Sequence, residues 1–465
     1  MKIEQIYTGC LAQGTYYIES NGEAAIIDPL RESGPYIKKA EKEGSKIKYV
    51  FETHFHADFV SGHLDLADKT GATIVFGPKA ETDYDIRQAK DEEIFDLGNV
   101  KIKVLHTPGH TPESTCYLLI DEEGKEKAIF TGDTLFIGDV GRPDLAISSN
   151  VTQEDLAGML FDSLRNKVMP LPDEVIVYPA HGAGSACGKN MSKETSDTLG
   201  NQKETNYALD PKLSKDDFIK VVTDGLLPPP GYFAKNAMMN KTGYESLDSI
   251  LEKGAIPLTP DEFEDIVNRN GALVLDTRKP ADFEKAFIPN SIFIGIDGGF
   301  APWVGALIPD INQPIVFICD EGREEEVVTR LSRVGYDNTL GFLEGGISKW
   351  QASDKEIDKV VSISAEKLLE EISSSEPVIL DVRKPTEFQS GHIEIAQNVP
   401  LDFINEHIDE LDENEAYHVH CAGGYRSMIA ASILKSRGYY KIYNVLGGYE
   451  AIKKTDISLA EGVEQ

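Results

Sequence analysis

Residues 53–58 read Thr-His-Phe-His-Ala-Asp, two imidazoles two positions apart and then a carboxylate. Neutral imidazole nitrogen and carboxylate oxygen bind iron and zinc alike, so His54, His56 and Asp58 form a candidate metal cluster. His110 in Thr-Pro-Gly-His, Asp133 in Thr-Gly-Asp and His181 in Pro-Ala-His could complete it. Position 59, where a further histidine would be expected, is Phe. Loss of that imidazole points to one metal ion instead of two, and away from two-metal hydrolysis. His63 and His106 stand outside these runs and are expected to be ordinary surface or core residues.

Such ligands converge only if strand ends bring them to one edge. The runs 24–28, 47–51, 73–76, 100–105 and 174–178 are β-branched or aromatic, are bounded by Gly, Pro or Asp, and are predicted strands. The histidine run, His110, Asp133 and His181 each follow a strand, so one layered domain can gather them. Leu226-Leu-Pro-Pro-Pro-Gly231 is expected to be an extended, polyproline-like passage leading towards the second half.

That second half repeats itself. Leu273-Val-Leu-Asp276-Thr-Arg278-Lys-Pro recurs as Val378-Ile-Leu-Asp381-Val-Arg383-Lys-Pro, 105 residues on. Cys319 and Cys421 correspond at an offset of 102, as do Gly345-Gly346 and Gly447-Gly448. A period this long means two copies of a domain of about 100 residues, each alternating short strands with helices as parallel α/β sheets do.

A second chemistry sits in the last copy, where Cys421 opens the loop Cys-Ala-Gly-Gly-Tyr-Arg426-Ser. Glycines allow the N–H groups of such a loop to turn inward as an anion cradle. The N-terminus of the following helix and Arg426 add positive potential, favouring a thiolate and a cysteine persulfide anion. Cys421 is therefore a candidate nucleophile for sulfur transfer. In the middle copy, one residue fewer separates Cys319 from Arg323, and Asp320, Glu321 and Glu324 to Glu326 surround them. Those carboxylates oppose ionisation of the thiol, so this copy is expected to be non-catalytic and to hold the active domains together.

The chain has 465 residues, enough for about three domains. Its 46 basic and 78 acidic residues give a net charge of −32, which repels nucleic acid and anionic membranes and leaves any anionic substrate dependent on local cations. Five widely spaced cysteines form no disulfide framework. No apolar run is long enough for a membrane span and no signal core opens the sequence, so a cytoplasmic protein is expected. The sequence is compatible with a homo-oligomer.

The ordered set Thr-His-x-His-x-Asp, Thr-Pro-Gly-His-Thr and Thr-Gly-Asp-Thr resembles the metallo-β-lactamase superfamily over roughly residues 1–220. Within it, Leu11-Ala-Gln-Gly-Thr-Tyr, Gly138-Asp-Val-Gly-Arg142-Pro-Asp-Leu and Ala180-His-Gly-Ala-Gly-Ser-Ala-Cys187-Gly-Lys189 resemble the persulfide dioxygenases. The Cys421 loop, Asp381-Val-Arg383 and Leu446-Gly-Gly resemble the rhodanese family, so the whole chain resembles a persulfide dioxygenase–rhodanese fusion. The resemblance implies an α/β protein: a metallo-β-lactamase αββα sandwich at 1–245, a non-catalytic rhodanese-like domain at 258–355 and a catalytic one at 360–460, both doubly wound. It further implies one Fe(II) per chain on His54, His110 and Asp133, with His56, Asp58 and His181 as orienting residues. Arg142 would help hold the substrate's carboxylate end, with Cys187 and Lys189 beside it, while Cys421 and Arg426 carry sulfur transfer. The implied substrates are a low-molecular-weight thiol persulfide, dioxygen, and thiosulfate or sulfite. The rival expectation is a zinc thioesterase of the glyoxalase II kind, in which metal-bound hydroxide attacks a thioester; against it stands Phe59.

Overall fold

A computed structural model describes residues 1–147 and 150–461. The chain divides into two compact units, residues 1–249 with 331–335, and residues 250–330 with those from 336 onward.

In the first unit, β1 (Lys2–Thr8), β2 (Gln13–Ser20), β3 (Glu23–Ile27), β4 (Lys46–Glu52), β5 (Thr73–Phe76) and β6 (Arg87–Gln88) form one sheet in sequence order. The strands β7 (Ile94–Leu97), β8 (Val100–His106), β9 (Thr115–Ile120), β10 (Glu126–Gly132), β11 (Ile176–Pro179) and β12 (Asp197–Thr198) form a second, also in sequence order. The five predicted strands all form, their ends shifted by two residues at most. Side chains alternate across a strand, and both faces of these central strands are apolar, so each sheet is covered twice. Tyr16, Ile18, Ala25 and Ile27 meet Ile102, Val104, Tyr117 and Leu119 between the sheets. Their neighbours Tyr17, Ala24 and Ile26 pack on Tyr36 and Ala40 of helix Gly34–Glu43. Behind the second sheet, Leu118 and Ile129 pack with Leu160 of helix Gln153–Ser163 and Phe218 of helix Lys215–Thr223. Each large apolar side chain buried in these layers contributes about 1.5–3 kcal/mol. The result is the expected αββα sandwich.

The Pro-rich passage lies inside this first unit: residues 226–230 carry no regular element and lead into helix Phe233–Thr242 of the same unit. Proline without a backbone N–H explains the absence of helix or ladder there.

The second unit holds the two repeats as two all-parallel sheets. The first runs β13 (Pro257–Leu258), β17 (Thr339–Leu343), β16 (Ile315–Ile318), β14 (Leu273–Asp276), β15 (Ile292–Phe293); the strands number in chain order, so neighbours are joined by crossovers. The second repeats that order with β18 (Val361–Ile363), β23 (Ile442–Val445), β22 (Tyr417–His420), β19 (Val378–Asp381) and β21 (Gln397–Asn398); β20 (Gly391–Ile393) pairs with β24 (Leu459–Glu461) apart from it. The repeated Asp-x-Arg does the same work in both copies. Arg278 bonds Asp276 at 2.9 Å and Ala286 O at 2.8 Å, and Arg383 bonds Asp381 at 2.9 Å and Gly391 O at 2.8 Å, fastening the loop that leaves the strand.

Candidate functional site

Four strands of the sandwich end at one edge, and every candidate ligand lies just beyond an end: the His54 run after β4, His110 after β8, Asp133 after β10 and His181 after β11. One ligand atom each of His54, His110 and Asp133 lies within 4.8 Å of the others, and all three residues are buried. His54 Nε2 is 3.8 Å and His110 Nε2 3.5 Å from Asp133 Oδ2. Among the described residues, His54 Nε2 and Asp133 Oδ2 have no hydrogen-bond partner although buried. Orphaned buried lone pairs are costly unless something binds them, and two imidazoles with one carboxylate suit a divalent transition metal.

The surroundings point these atoms inward. Thr53 Oγ1 donates to Asp28 Oδ2 at 2.8 Å, leaving its lone pair for His54 Nδ1–H at 3.0 Å. His110 Nδ1–H donates to Arg142 O at 2.8 Å. Both rings therefore present Nε2 as the ligating atom. Burial, reinforced by His56, keeps His54 well below the usual histidine range, hence neutral. Burial resists ionisation of Asp133, but the charge and hydrogen bond of His181 outweigh it and hold the carboxyl far below the usual carboxylate range.

His56, Asp58 and His181 form a second buried group beside the first. His181 spans two carboxylates, Nδ1 at 2.7 Å from Asp133 Oδ1 and Nε2 at 2.8 Å from Asp58 Oδ2. Burial disfavours its charged form, yet Asp133 and Asp58 outweigh that and raise it well above the usual range. It thus behaves as a cation that fixes Asp133 through Oδ1 and leaves Oδ2 open. His56 turns its Nε2 to Asp28 Oδ1 at 3.1 Å and packs, tilted by 31°, against the fully buried ring of Phe59, centroids 4.3 Å apart. His63 and His106 join no ligand group among the described residues; His63 is a core residue 3.2 Å from Glu52.

Arg142, Cys187 and Lys189 reach the site differently. Arg142 clasps Asp144 at 2.6 and 2.7 Å and donates to Ala186 O and Leu227 O, which uses four of its five N–H groups. Its carbonyl orients His110. Lys189 Nζ donates to Val221 O and Asp224 O, closing the C-terminal end of helix Lys215–Thr223. Cys187 is buried within 4.8 Å of Asp133 and His181, and burial with Asp58 and Asp133 pushes its thiol well up.

Gly141 explains part of the Gly-Asp-Val-Gly-Arg run. A Cβ there would lie 2.0 Å from Asp133 O and 2.9 Å from His110 Nδ1. Gly141→Ala is expected to lower metal affinity about 10–100-fold by disturbing both residues. Competition with a chelator measures this, and unchanged affinity would contradict it.

Three supporting residues escaped the sequence reading. Asp28 accepts Thr53 N–H at 2.8 Å as well as the Thr53 hydroxyl. Asn240, on the helix beyond the Pro-rich passage, donates to His56 O and Phe59 O at 2.8 Å and accepts Ser61 N–H at 2.9 Å. Its separation of more than 180 residues from that loop left no local signal. Glu387 is the third, bonding Arg426 at 2.6 and 2.8 Å.

In the last copy Cys421 follows β22, and Gly424 N–H donates to its Sγ at 3.1 Å; Ser427 Oγ lies 3.6 Å away. Helix Tyr425–Ser436 begins immediately after, directing its N-terminus at the sulfur. In the middle copy burial, with Glu324, Asp320 and Asp276, pushes the Cys319 thiol up to about 12. Arg323 is drawn into pairs with Glu326 and Asp297, each at 2.7 Å. Alkylation of Cys319 by iodoacetamide is expected to speed about tenfold per pH unit from pH 8 to 10, because the ionised fraction grows tenfold per unit below the pKa. Mass spectrometry of the Cys319 peptide measures the rate; a plateau below pH 9 would contradict it.

The Metallo-beta-lactamase superfamily model matches residues 8–181, and the Rhodanese-like domain model matches 259–353 and 364–455. A solved metallo-beta-lactamase from Staphylococcus aureus subsp. aureus COL is 32% identical, with a TM-score of 0.64 over 74% of this chain and 98% of that one. The probable hydroxyacylglutathione hydrolase glo2 of Schizosaccharomyces pombe is 34% identical over 34% of this chain and 58% of its own length, so this chain spans little more than half of it. The mitochondrial persulfide dioxygenase ETHE1 of Homo sapiens is 29% identical over 45% of this chain and 74% of its own length.

The sandwich with its edge of histidines and carboxylates belongs to the metallo-β-lactamase superfamily. The chain joins such a domain, homologous to persulfide dioxygenase, to two C-terminal rhodanese-like domains. Its kinship with hydroxyacylglutathione hydrolases is equally close.

Proposed function

We propose that the first domain is an Fe(II)-dependent persulfide dioxygenase, with one iron per chain on His54, His110 and Asp133, and that Cys421 is a sulfurtransferase nucleophile. The observation carrying this reading is the meeting of two Nε2 atoms with one partnerless carboxylate oxygen, while Phe59 takes the flank where another imidazole would be needed. The overall oxidation is RSSH + O2 + H2O → RSH + H2SO3. Fe(II) held there supplies the one-electron chemistry that ground-state dioxygen requires. The chain's own residues do the rest. His181 and Asp58 hold Asp133, Thr53 and the Arg142 carbonyl hold the imidazoles, and the buried Phe59 and Cys187 keep bulk water out. Arg142 and Lys189 each retain one N–H among the described residues, so each can offer a thiol's carboxylate a single hydrogen bond, not a bidentate grip.

At Cys421, the thiolate attacks the sulfane sulfur of thiosulfate, the S–S bond breaks, sulfite leaves, and a thiol takes the sulfur from the cysteine persulfide. Gly424 N–H and the helix N-terminus stabilise the sulfur anion; the Arg426 charge is shared with Glu387. Domains at 1–245, 258–355 and 360–460 would divide these tasks, with the middle one non-catalytic.

A zinc hydrolase of hydroxyacylglutathione-like thioesters is the second reading, favoured by the Schizosaccharomyces pombe relative and by the His56–Asp58–His181 group. Metal analysis and oxygen uptake on protein purified anaerobically separate the two. One iron per chain with dioxygen uptake on glutathione persulfide is the expected result; stoichiometric zinc with thioester turnover would overturn it.

A further inference from the structure

The residue between Gly424 and Arg426 sends its side chain out of its own domain. Tyr425 Oη donates to Gly295 O of the preceding copy at 2.8 Å. Its ring meets Phe293 edge-on at 6.1 Å. A Cβ on Gly298 would lie 2.3 Å from Tyr425 Cζ, and one on Gly295 3.3 Å from Cε2, so the segment 295–298 is a socket shaped to that ring. Phe293 N–H donates to Ser432 Oγ at 2.9 Å, tying the same segment to the helix that Tyr425 opens. Burial and the nearby Asp297 hold the phenol well above its usual range, so it stays a donor.

The socket is braced from behind by the loop that lost its thiol chemistry. Arg323, which matches Arg426 in the repeat, pairs at 2.7 Å with Asp297, the exposed residue between Ile296 and Gly298 of the same segment. An unbroken series of contacts thus runs from Arg323 through Asp297 and the glycine socket to Tyr425, whose neighbour Gly424 donates its N–H to Cys421 Sγ at 3.1 Å.

We propose that the first rhodanese-like copy is a positioning element for the second: its Gly295–Gly298 socket, braced by Arg323, holds Tyr425 and so keeps the Gly424 N–H on the Cys421 sulfur. This rests on Cys421 being the transfer nucleophile. Tyr425 touches no reacting atom, so it acts through the loop.

Thiosulfate-to-thiol transfer by the full chain tests this, with rates normalised to titratable Cys421 thiol and folding checked by thermal melting. Tyr425→Ala is expected to lower kcat about 10–100-fold, the size of one hydrogen bond to a charged sulfur, with KM for thiosulfate within about twofold. Tyr425→Phe keeps the ring in its socket and should lose less than about tenfold. Gly298→Ala should match Tyr425→Ala, and the double variant should be no worse than either, because both break one contact. Transfer by Tyr425→Ala within twofold of wild type, or additive losses in the double variant, would overturn the proposal. Cys421→Ser separates the two levels. Retained transfer in that variant refutes the nucleophile itself, whereas its loss beside wild-type Tyr425 variants refutes only the socket. Should Gly298→Ala not fold, the Tyr425 pair still decides.

Discussion

Asp133→Ala is expected to abolish the proposed dioxygen uptake with glutathione persulfide and to release the bound metal. Asp133 is the one anion among the three proposed ligands. Its Oδ1 is held by His181 at 2.7 Å, and its Oδ2 has no hydrogen-bond partner among the described residues. Removing it leaves His54 and His110 with no anionic ligand beside them, a poor site for a dication. Loss of several kcal/mol of stabilisation corresponds to a fall of about 10³-fold or more in rate. Oxygen-electrode traces with metal analysis of the same sample measure both effects. Uptake unaffected by the change would defeat the assignment of these residues. Thiosulfate transfer by the variant should persist, since Cys421 lies in the other compact unit.

Cys421→Ser should be the mirror image. Thiosulfate-linked transfer is expected to fall more than about 10⁴-fold, because a hydroxyl cannot carry the sulfur as a persulfide. Sulfite formation from glutathione persulfide should remain measurable. The cradle that Gly424 N–H and the helix N-terminus build is spent on the sulfur anion, so a neutral oxygen gains little from it. A variant that still turns over thiosulfate would remove Cys421 from the mechanism. Cys319 offers no substitute, its thiol being held at about 12 by burial and three carboxylates.

Much of this protein is legible without a structure because its signals are local. Strand runs such as 73–76 stand between turn residues, and the structure forms β5 over the same residues. The repeat of Asp-x-Arg was visible as a pattern, though not its purpose, since the carbonyls that Arg278 and Arg383 fasten lie eight residues on, beyond the reach of the motif. The domain passage at 226–231 was harder. Proline predicts an extended chain but not which body it belongs to, and it lies within the first unit, where the helix after it carries Asn240 back to the histidine loop.

The sequence by itself determined which chemistries were on offer: imidazole and carboxylate at strand ends, a cysteine opening a glycine loop, and a phenylalanine in place of a ligand. Those are properties of residue type and short spacing, which survive without coordinates. Only the tertiary structure decided how they are used. It turned His56 Nε2 towards Asp28, pinned His181 as a cation between two carboxylates, and spent most of the Arg142 fork on Asp144 and two carbonyls. It also seated Tyr425 in glycines 130 residues earlier in the chain. The physical reason is the same in each case. A long polar side chain takes whatever partner a buried, low-dielectric setting leaves it, and that partner is set by which distant strands and loops the fold brings together.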